Sequence, residues 1–405
     1  MPTEKAHGYQ ISQMCQAFVE AGAQTLLLHP YFKNPIKGAS IEEYYDLRHP
    51  LRSVEIPSLH LNQITNYIPS QALRRFAASV AFHVHRQIFT YKLIRKLKKI
   101  INPHEDYIIY VRDGDMARSL ISRLPAPHCS RVVVELHSLP QMKVRKHLLA
   151  ESLKCSLLTV TLTQKTKELL KNFGLNESLI KVCPDGVDIK TFDINISQVG
   201  ARKELRIPPD RTVALYVGRF HTMGNEKGIP DIIKASKHLL TKFQNLYFYF
   251  VGGPVNVSSA EYDHVGSYRS LIRQLKLPLD RFIFLEKQPV QLIPIWLRSA
   301  SVLLMPFPRT DHYSFYMSPL KMFEYMTSKR PIVASRLPAI EEILTDNQNA
   351  LLAEPGNAKE IAHKIQMALG DFKLKEKIAT TAYLDVQKYD WRKRALRILD
   401  YAEKI

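Results

Sequence analysis

Between residues 212 and 353 the chain alternates between short apolar runs and longer mixed stretches. That alternation limits its fold more than any other feature. "TVALYVG" (212–218), "LYFYFVGG", "RFIFLE", "SVLLMPF", "PIVAS" and "ALLAE" each read as a buried strand. Helical stretches fall between them, at 229–243, near 259–275, over "QLIPIWLRSA", from Ser318 onward and at 338–344. Strands alternating with helices of this length predict a parallel sheet covered on both faces. Such a sheet binds ligands outside the carboxyl ends of its strands.

Residues 1–190 carry a rougher version of the pattern. A helix at 9–22 leads to "TLLLHP", followed by "VEIPSL", a long helix near 71–101, "YIIYV", "RVVVELH", a helix near 141–154, "LLTVTL" and "IKVCPDGVD". Residues 189–211, with Pro208-Pro209, read as a linker. At 405 residues the chain is too long for one core. The expectation is α/β, with two doubly wound domains facing each other across a cleft, at 1–190 and 191–388.

Composition narrows the function. Apolar residues make up 45% and charged residues 23%, which is globular. No run approaches the roughly 18 apolar residues that cross a bilayer. The start, "MPTEKAHGYQ", has no secretory core, so no signal peptide is expected. Four cysteines lie far apart with no C-x-x-C pair, which suits a reducing cytosol and offers no zinc framework. The net charge of +19 is shared between both halves and predicts polyanionic partners.

Two stretches have the makings of a site. In "LYVGRFHTMGNEKG", Gly218 lets the chain turn as it leaves a strand, and Arg219 and Lys227 flank the loop that follows. The pattern is neither G-x-G-x-x-G nor a P-loop. Two cations on a glycine-containing loop at a strand's carboxyl end suit a diphosphate, although a solvated turn has the same composition. In "SPLKMFEYMTSKRPIVAS", Ser318 is placed to cap and Pro319 fits the first helical position. Lys321 and Glu324 then share a face. The bland reading is a surface ion pair. The other is an anion at the helix N-terminus, helped by Lys321, with Glu324 accepting from sugar hydroxyls.

These motifs resemble the retaining GT-B glycosyltransferases of family four, the "group 1" transferases. "YVGR…KG" and "SPLKMFEYMTSKRPIVASRLPAIEEIL" carry the resemblance in the second half. "CPDGVD" (183–188) and "KAHGYQISQMCQAF" extend it over nearly the whole chain. The resemblance implies two Rossmann-like domains, a nucleotide-sugar donor held mostly by the second, and a last helix at about 389–405 crossing back to the first. It gives Arg219 and Lys227 to the donor diphosphate, Glu324 to the ribose, and the amides around Ser318, Pro319 and Leu320 to the phosphates and sugar. Gly8 would approach the diphosphate from the opposite domain. His137 would touch the transferred sugar, and Arg112 resembles a cleft residue. Where the family commonly has a glutamate eight positions before Glu324, this chain has Tyr316. The Arg219–Lys227 loop is longer than usual.

The implied chemistry is transfer with retention from a UDP- or GDP-linked sugar to a glycan or glycolipid hydroxyl, with no metal or cofactor. Arg219, Lys227 and a helix N-terminus stand where a divalent ion would stabilise the leaving group. Asp113 and Asp115 form an Asp-x-Asp, a metal signature in the other glycosyltransferase fold, or equally a Gly-centred turn. A non-catalytic nucleotide-sugar sensor is a second reading. Nucleic-acid binding is a third, without a recognisable motif to support it.

Two further expectations concern the first domain. Between Glu55 and Glu105 there is no acidic residue, yet there are eight basic ones: Arg74, Arg75, Arg86, Lys92, Arg95, Lys96, Lys98 and Lys99. Phe82, Phe89, Leu93, Leu97 and Ile100 recur there at near-helical spacing. Apolar stripe plus basic face predicts an interfacial helix on anionic lipid, at the cytoplasmic face of a membrane. Members of the family also begin with an apolar strand before the glycine loop, and no such run precedes Gly8. The expected result is a sheet starting at "TLLLHP" beside an underfilled slot, with the true start upstream of Met1.

Overall fold

The computed structural model describes residues 1–3, 6–31, 36, 38–58, 70–102, 104–222, 225–253 and 264–404. The chain forms two units: Met1–Pro184 together with Trp391–Ile405, and Asp185–Asp390. The break falls at Pro184, not at residue 190. Val187 donates its amide to Tyr389 O at 3.0 Å, and Gly186 packs on the same carbonyl, so these residues belong with the second unit.

The first unit holds β1 (Leu27–Pro30) paired in parallel with β2 (Ser53–Ile56). A separate parallel sheet runs β3 (Ile109–Arg112), β4 (Val132–Leu136), β5 (Leu158–Thr161), β6 (Ile180–Val182), in that order. Among the described residues no strand joins the two sheets. Every residue of β4 and β5 is buried, as expected of central parallel strands covered on both faces. The helix Ala6–Glu20 packs beside the terminal helix Trp391–Glu403.

The long helix spans Gln71–Ile100. Its apolar stripe is not on the surface throughout. Phe89, Leu93 and Leu97 are buried, and so is Ile94, because the C-terminal half packs on the unit's own core. The exposed apolar residues lie mostly toward its start: Leu73, Phe76, Val80, Phe82 and Val84.

In the second unit all six strands of the main sheet are parallel, in the order β11-β10-β7-β12-β13-β14. They are β7 (Thr212–Val217), β10 (Leu246–Val251), β11 (Phe282–Leu285), β12 (Val302–Met305), β13 (Ile332–Ser335) and β14 (Leu351–Ala353). A short antiparallel pair, β8 (His221–Thr222) and β9 (Asn225–Glu226), lies in the loop after β7. Val213, Leu215 and Val217 face one hydrophobic cluster, with Trp296 and Phe323, while Ala214 and Tyr216 face another, with Ile232 and Phe248. That two-residue period with both faces buried is what a doubly wound sheet requires.

Residues 189–211 are not a free linker. Helices Ile189–Phe192 and Gln198–Glu204 pack into the second unit, with Phe192 and Ala201 buried. Arg202 donates to Ser299 O at 3.0 Å and to Ser301 Oγ at 2.9 Å. Within the described residues the helix expected near 259–275 spans His264–Gln274; 254–263 lie outside them.

Candidate functional site

β7 has β10 on one side and β12 on the other, so chain order reverses between β7 and β12. Parallel sheets open a crevice at such a switch point. Gly218 leaves β7 with φ +133°, its amide held by Val251 O at 2.8 Å. Tyr216 Oη donates to Arg219 O at 2.8 Å and fixes the first step of the loop. The loop passes through β8 and β9 and closes at Gly228 onto Pro306, which follows β12. A Cβ at Gly228 would lie 1.5 Å from Pro306 O, and its φ is +85°, so only glycine lets the loop shut down on β12. Glu226 accepts from Gly228 N at 2.7 Å and Ile229 N at 3.1 Å, capping the helix Ile229–Ser236. Burial pushes the Glu226 carboxyl up to about 7, against those amide bonds.

The second wall is the helix Leu320–Thr327, one residue shorter at its start than expected. Ser318 does not cap it. Its Oγ accepts from Asp185 N at 2.9 Å instead, and Pro319 occupies the cap position without a side-chain bond. The helix is anchored below the crevice by Tyr325. Its hydroxyl takes the Val217 amide at 2.7 Å and lies 3.4 Å from Leu304 O, tying it to the ends of β7 and β12.

The surface ion pair is excluded by where Lys321 lies. It is only 9% exposed, with Nζ 3.8 Å from the centre of the Tyr216 ring and 5.3 Å from that of Phe307. Its Nζ has no hydrogen-bond partner among the described residues. A Cβ on Gly218 would stand 2.9 Å from it. Burial, and secondarily Lys227, hold the Lys321 amine well below the usual lysine range. Burial pushes the half-buried Glu324 carboxyl up to about 7, opposed by Lys321. Lys227 is lowered to about 8, first by burial and then by Arg219. Arg219, Lys227, Lys321 and Glu324 thus sense one another in sequence. The structure brings these four to Gly218 and the start of one helix. Tyr316 is half-buried, at the end of the turn His312–Tyr316, its hydroxyl raised by burial and Asp311.

The first unit places Arg112 and His137 together. Arg112 ends β3 and His137 follows β4, and Arg112 Nη2 lies 3.1 Å from His137 Nδ1. On its other side His137 Nε2 lies 2.5 Å from Glu135 Oε1. Arg112 Nε also lies 3.1 Å from His137 Nε2, so the guanidinium faces both ring nitrogens. A pocket of about 510 Å³ opens beside them, lined also by Asp113, Leu139, Gln141 and Arg145. Asp113 caps the helix Gly114–Ile121 by accepting from Asp115 N, and Asp115 bridges Arg86 at 2.6 Å, so "DGD" is a capped turn here. Gly8 is buried in the first turn of Ala6–Glu20. A Cβ there would strike Tyr45 Oη at 2.2 Å, so its missing side chain makes room for Tyr45 within this unit.

Three features escaped the sequence reading. Glu226 had a usable signal, an acid just before Gly-Ile-Pro at a helix start. Tyr216 looked like any strand residue. The buried pair of Glu135 with Arg394 had no local signal.

Each unit is Rossmann-like, and the whole chain follows known GT-B structures. It aligns over 100% of its length with 98% of Anabaena HepE in complex with UDP and glucose (TM-score 0.69, 18% identity). It aligns over 99% with 93% of sucrose-phosphate synthase from Thermosynechococcus elongatus (TM-score 0.73, 18% identity). Residues 211–371, the heart of the second unit, match the family model "Glycosyl transferases group 1". Over that stretch the chain is similar to the group 1 glycosyltransferases. Among relatives, a D-inositol 3-phosphate glycosyltransferase of Streptomyces bingchenggensis is 25% identical over 59% of this chain and 51% of its own length. A lipopolysaccharide 1,2-N-acetylglucosaminetransferase of Salmonella typhimurium is 27% identical over 55% and 56%. The chain spans about half the length of these relatives.

Proposed function

We propose that this chain transfers a sugar from a nucleoside-diphosphate-sugar to an acceptor hydroxyl, with retention and without a metal. The observation that carries the reading is the convergence of Arg219, Lys227 and Lys321 on the switch-point crevice, beside a helix N-terminus. Cleaving the anomeric carbon–oxygen bond leaves negative charge on the diphosphate. Cations already in place stabilise that charge without reorganising. In this reading Glu324, one turn into the same helix, takes the ribose hydroxyls, and His137 and Arg112 serve the sugar and acceptor. The donor is a UDP- or GDP-linked sugar, UDP in HepE supporting the first, and the acceptor a glycan or glycolipid, as the lipopolysaccharide named for the Salmonella relative supports.

The acceptor is presented at an anionic membrane surface on the cytoplasmic side. No described helix is long and apolar enough to cross a membrane. Leu73, Phe76, Val80 and Val84 fall within one arc of the Gln71–Ile100 helix and are all exposed, in a segment without acidic residues. The deciding experiment incubates the protein with UDP- and GDP-sugars, with and without EDTA. Free nucleoside diphosphate should appear in both, dependent on a lipid-linked or glycan acceptor. Release abolished by EDTA would overturn the metal-free step, and no release with any donor would overturn the activity.

A further inference from the structure

Three arginines gather at the amino ends of β12 and β13, the opposite end of the sheet from Gly218. Arg298 is in the last turn of the helix Ile293–Ser299, and Arg330 lies two residues before β13. Arg202, in the helix Gln198–Glu204, is nine-tenths buried. The helix Leu320–Thr327 starts at the crevice and ends at Ser328, beside Arg298. Eight residues of helix place the two ends about 12 Å apart.

Backbone carbonyls fix all three guanidinium groups. Arg202 Nε donates to Ser299 O at 3.0 Å, and Arg330 Nε donates to Arg298 O at 3.1 Å. Two adjacent carbonyls at one helix end therefore hold two cations. Arg298 donates from Nε to Ile196 O at 3.1 Å and from Nη1 to Ser328 O at 2.9 Å.

Capping is the bland explanation, since a cation at a helix C-terminus offsets the dipole. It accounts for Arg202, whose three nitrogens are all engaged. It does not account for the other two. Among the described residues Arg330 uses neither Nη1 nor Nη2, and Arg298 leaves Nη2 over. Capping does not require three like charges in one place either. Arg330 is lowered to about 10, first by burial and then by Arg298 and Arg202. Among the described residues no carboxylate forms an ion pair with any of the three. Glu376, exposed on the helix Phe372–Val386, attracts Arg330 from beyond that range, and Lys329 is taken by Asp193 at 3.1 Å.

We propose that Arg298 and Arg330, with the charge of Arg202 beside them, form a second anion site that takes a phosphate-bearing ligand. The unused Nη1 and Nη2 of Arg330 are a fork matched to two phosphate oxygens, and Arg298 Nη2 supplies a further donor. The site lies outside the nucleotide crevice and stands whether or not the donor reading does.

The probe is inorganic tripolyphosphate, titrated by calorimetry at constant ionic strength. The parent protein is Arg219→Ala with Lys227→Ala, which removes the crevice cations. On that background Arg330→Gln should weaken binding by about tenfold or more. Arg330→Lys, which keeps the charge without the fork, should fall between the two. Glu376→Gln, at an exposed position, should tighten binding about twofold, the scale of an exposed charge pair, and tests the site even where an Arg330 variant folds poorly. Flotation with vesicles carrying a phosphomonoester lipid separates the sources. Flotation lost in Arg330→Gln assigns a lipid headgroup; unchanged flotation with tripolyphosphate binding lost assigns a soluble phosphate ligand. Equal tripolyphosphate affinity in the parent and Arg330→Gln would overturn the site. So would a parent that does not bind tripolyphosphate, or a Glu376→Gln variant that binds it more weakly.

Discussion

Arg394 Nη2 and Glu135 Oε2 meet at 2.7 Å across 259 positions of sequence, and both side chains are fully buried. The pair is the hub of the first unit. Arg394 also donates to Pro184 O at 2.8 Å and Cys183 O at 3.0 Å, while Glu135 accepts from Gln10 Nε2 at 2.7 Å and from the Tyr110 hydroxyl. Through Glu135 the pair reaches His137, so the terminal helix bears on a candidate site residue it does not touch.

Removing one partner should be far worse than removing both. Arg394→Met leaves the Glu135 carboxylate buried beside one fewer cation, and loss of a partner in such a pair typically costs about 3–5 kcal/mol. Arg394→Met with Glu135→Leu should recover part of that loss. Denaturant unfolding of both variants checks this. A single mutant within 1 kcal/mol of wild type, about the size of an exposed pair, would contradict the hub role.

The same pair sets an acid limit. Burial alone would raise the Glu135 carboxyl, but Arg394, His137 and Tyr110 hold it well below the usual 4.5. A carboxylate with a depressed folded pKa contributes stability that is present above about 4.5 and lost as pH falls toward the folded value. Wild type should lose melting temperature steeply below pH 4.5. Glu135→Gln should start lower and show a shallower decline, measured as melting temperature from pH 7 to 3.

How much of this was legible in the sequence depends on the range of the interaction. The switch-point loop was readable because a strand ending in glycine, followed by Arg219 and Lys227, is a local pattern. The alternation of strands and helices gave the sheets for the same reason. The burial of Lys321 was not readable: a lysine in a helix's first turn ordinarily lies in water, and only Gly218 and Tyr216, both over 100 positions away, bring it inside. Nor could Ser318 be told from a cap, since its partner is the distant Asp185 amide. Phe89, Leu93 and Leu97 were recognised as one apolar stripe, but periodicity does not say whether a stripe meets the protein's own core or a membrane.

The exposed start, the basic end and the buried half of this helix should therefore respond differently to substitution. If the start of the Gln71–Ile100 helix docks on lipid, Phe76→Ser with Val80→Ser should fold normally and lose flotation with anionic vesicles. Lys98→Glu with Lys99→Glu should weaken flotation mainly at low salt, since each basic side chain near the surface contributes about 1 kcal/mol. Leu93→Ala, in the buried half, should lower stability by about 2–5 kcal/mol instead. Neutral vesicles should bind none of them. Flotation of the Phe76/Val80 variant equal to wild type would remove this face from the membrane.

Catalysis and stability should show opposite pH trends around Lys227. Lys227 is lowered to about 8 from 10.5, chiefly by burial. If, as proposed, its cation stabilises the departing diphosphate, kcat/KM should decline as pH rises through about 8, reporting the free enzyme. Folding responds the other way. A lysine with a depressed folded pKa disfavours the fold below about 8, and that penalty is relieved between 8 and 10.5, where only the unfolded chain keeps the proton. Across this window wild type should lose kcat/KM while its melting temperature gains relative to Lys227→Ala. Lys227→Arg keeps its charge and should hold kcat/KM flat through pH 9, whereas Lys227→Ala and Arg219→Ala should each cut kcat by about 100- to 1,000-fold with the fold intact. A wild-type rate that stays flat through pH 9 alongside an active Lys227→Ala would remove Lys227 from the leaving-group clamp.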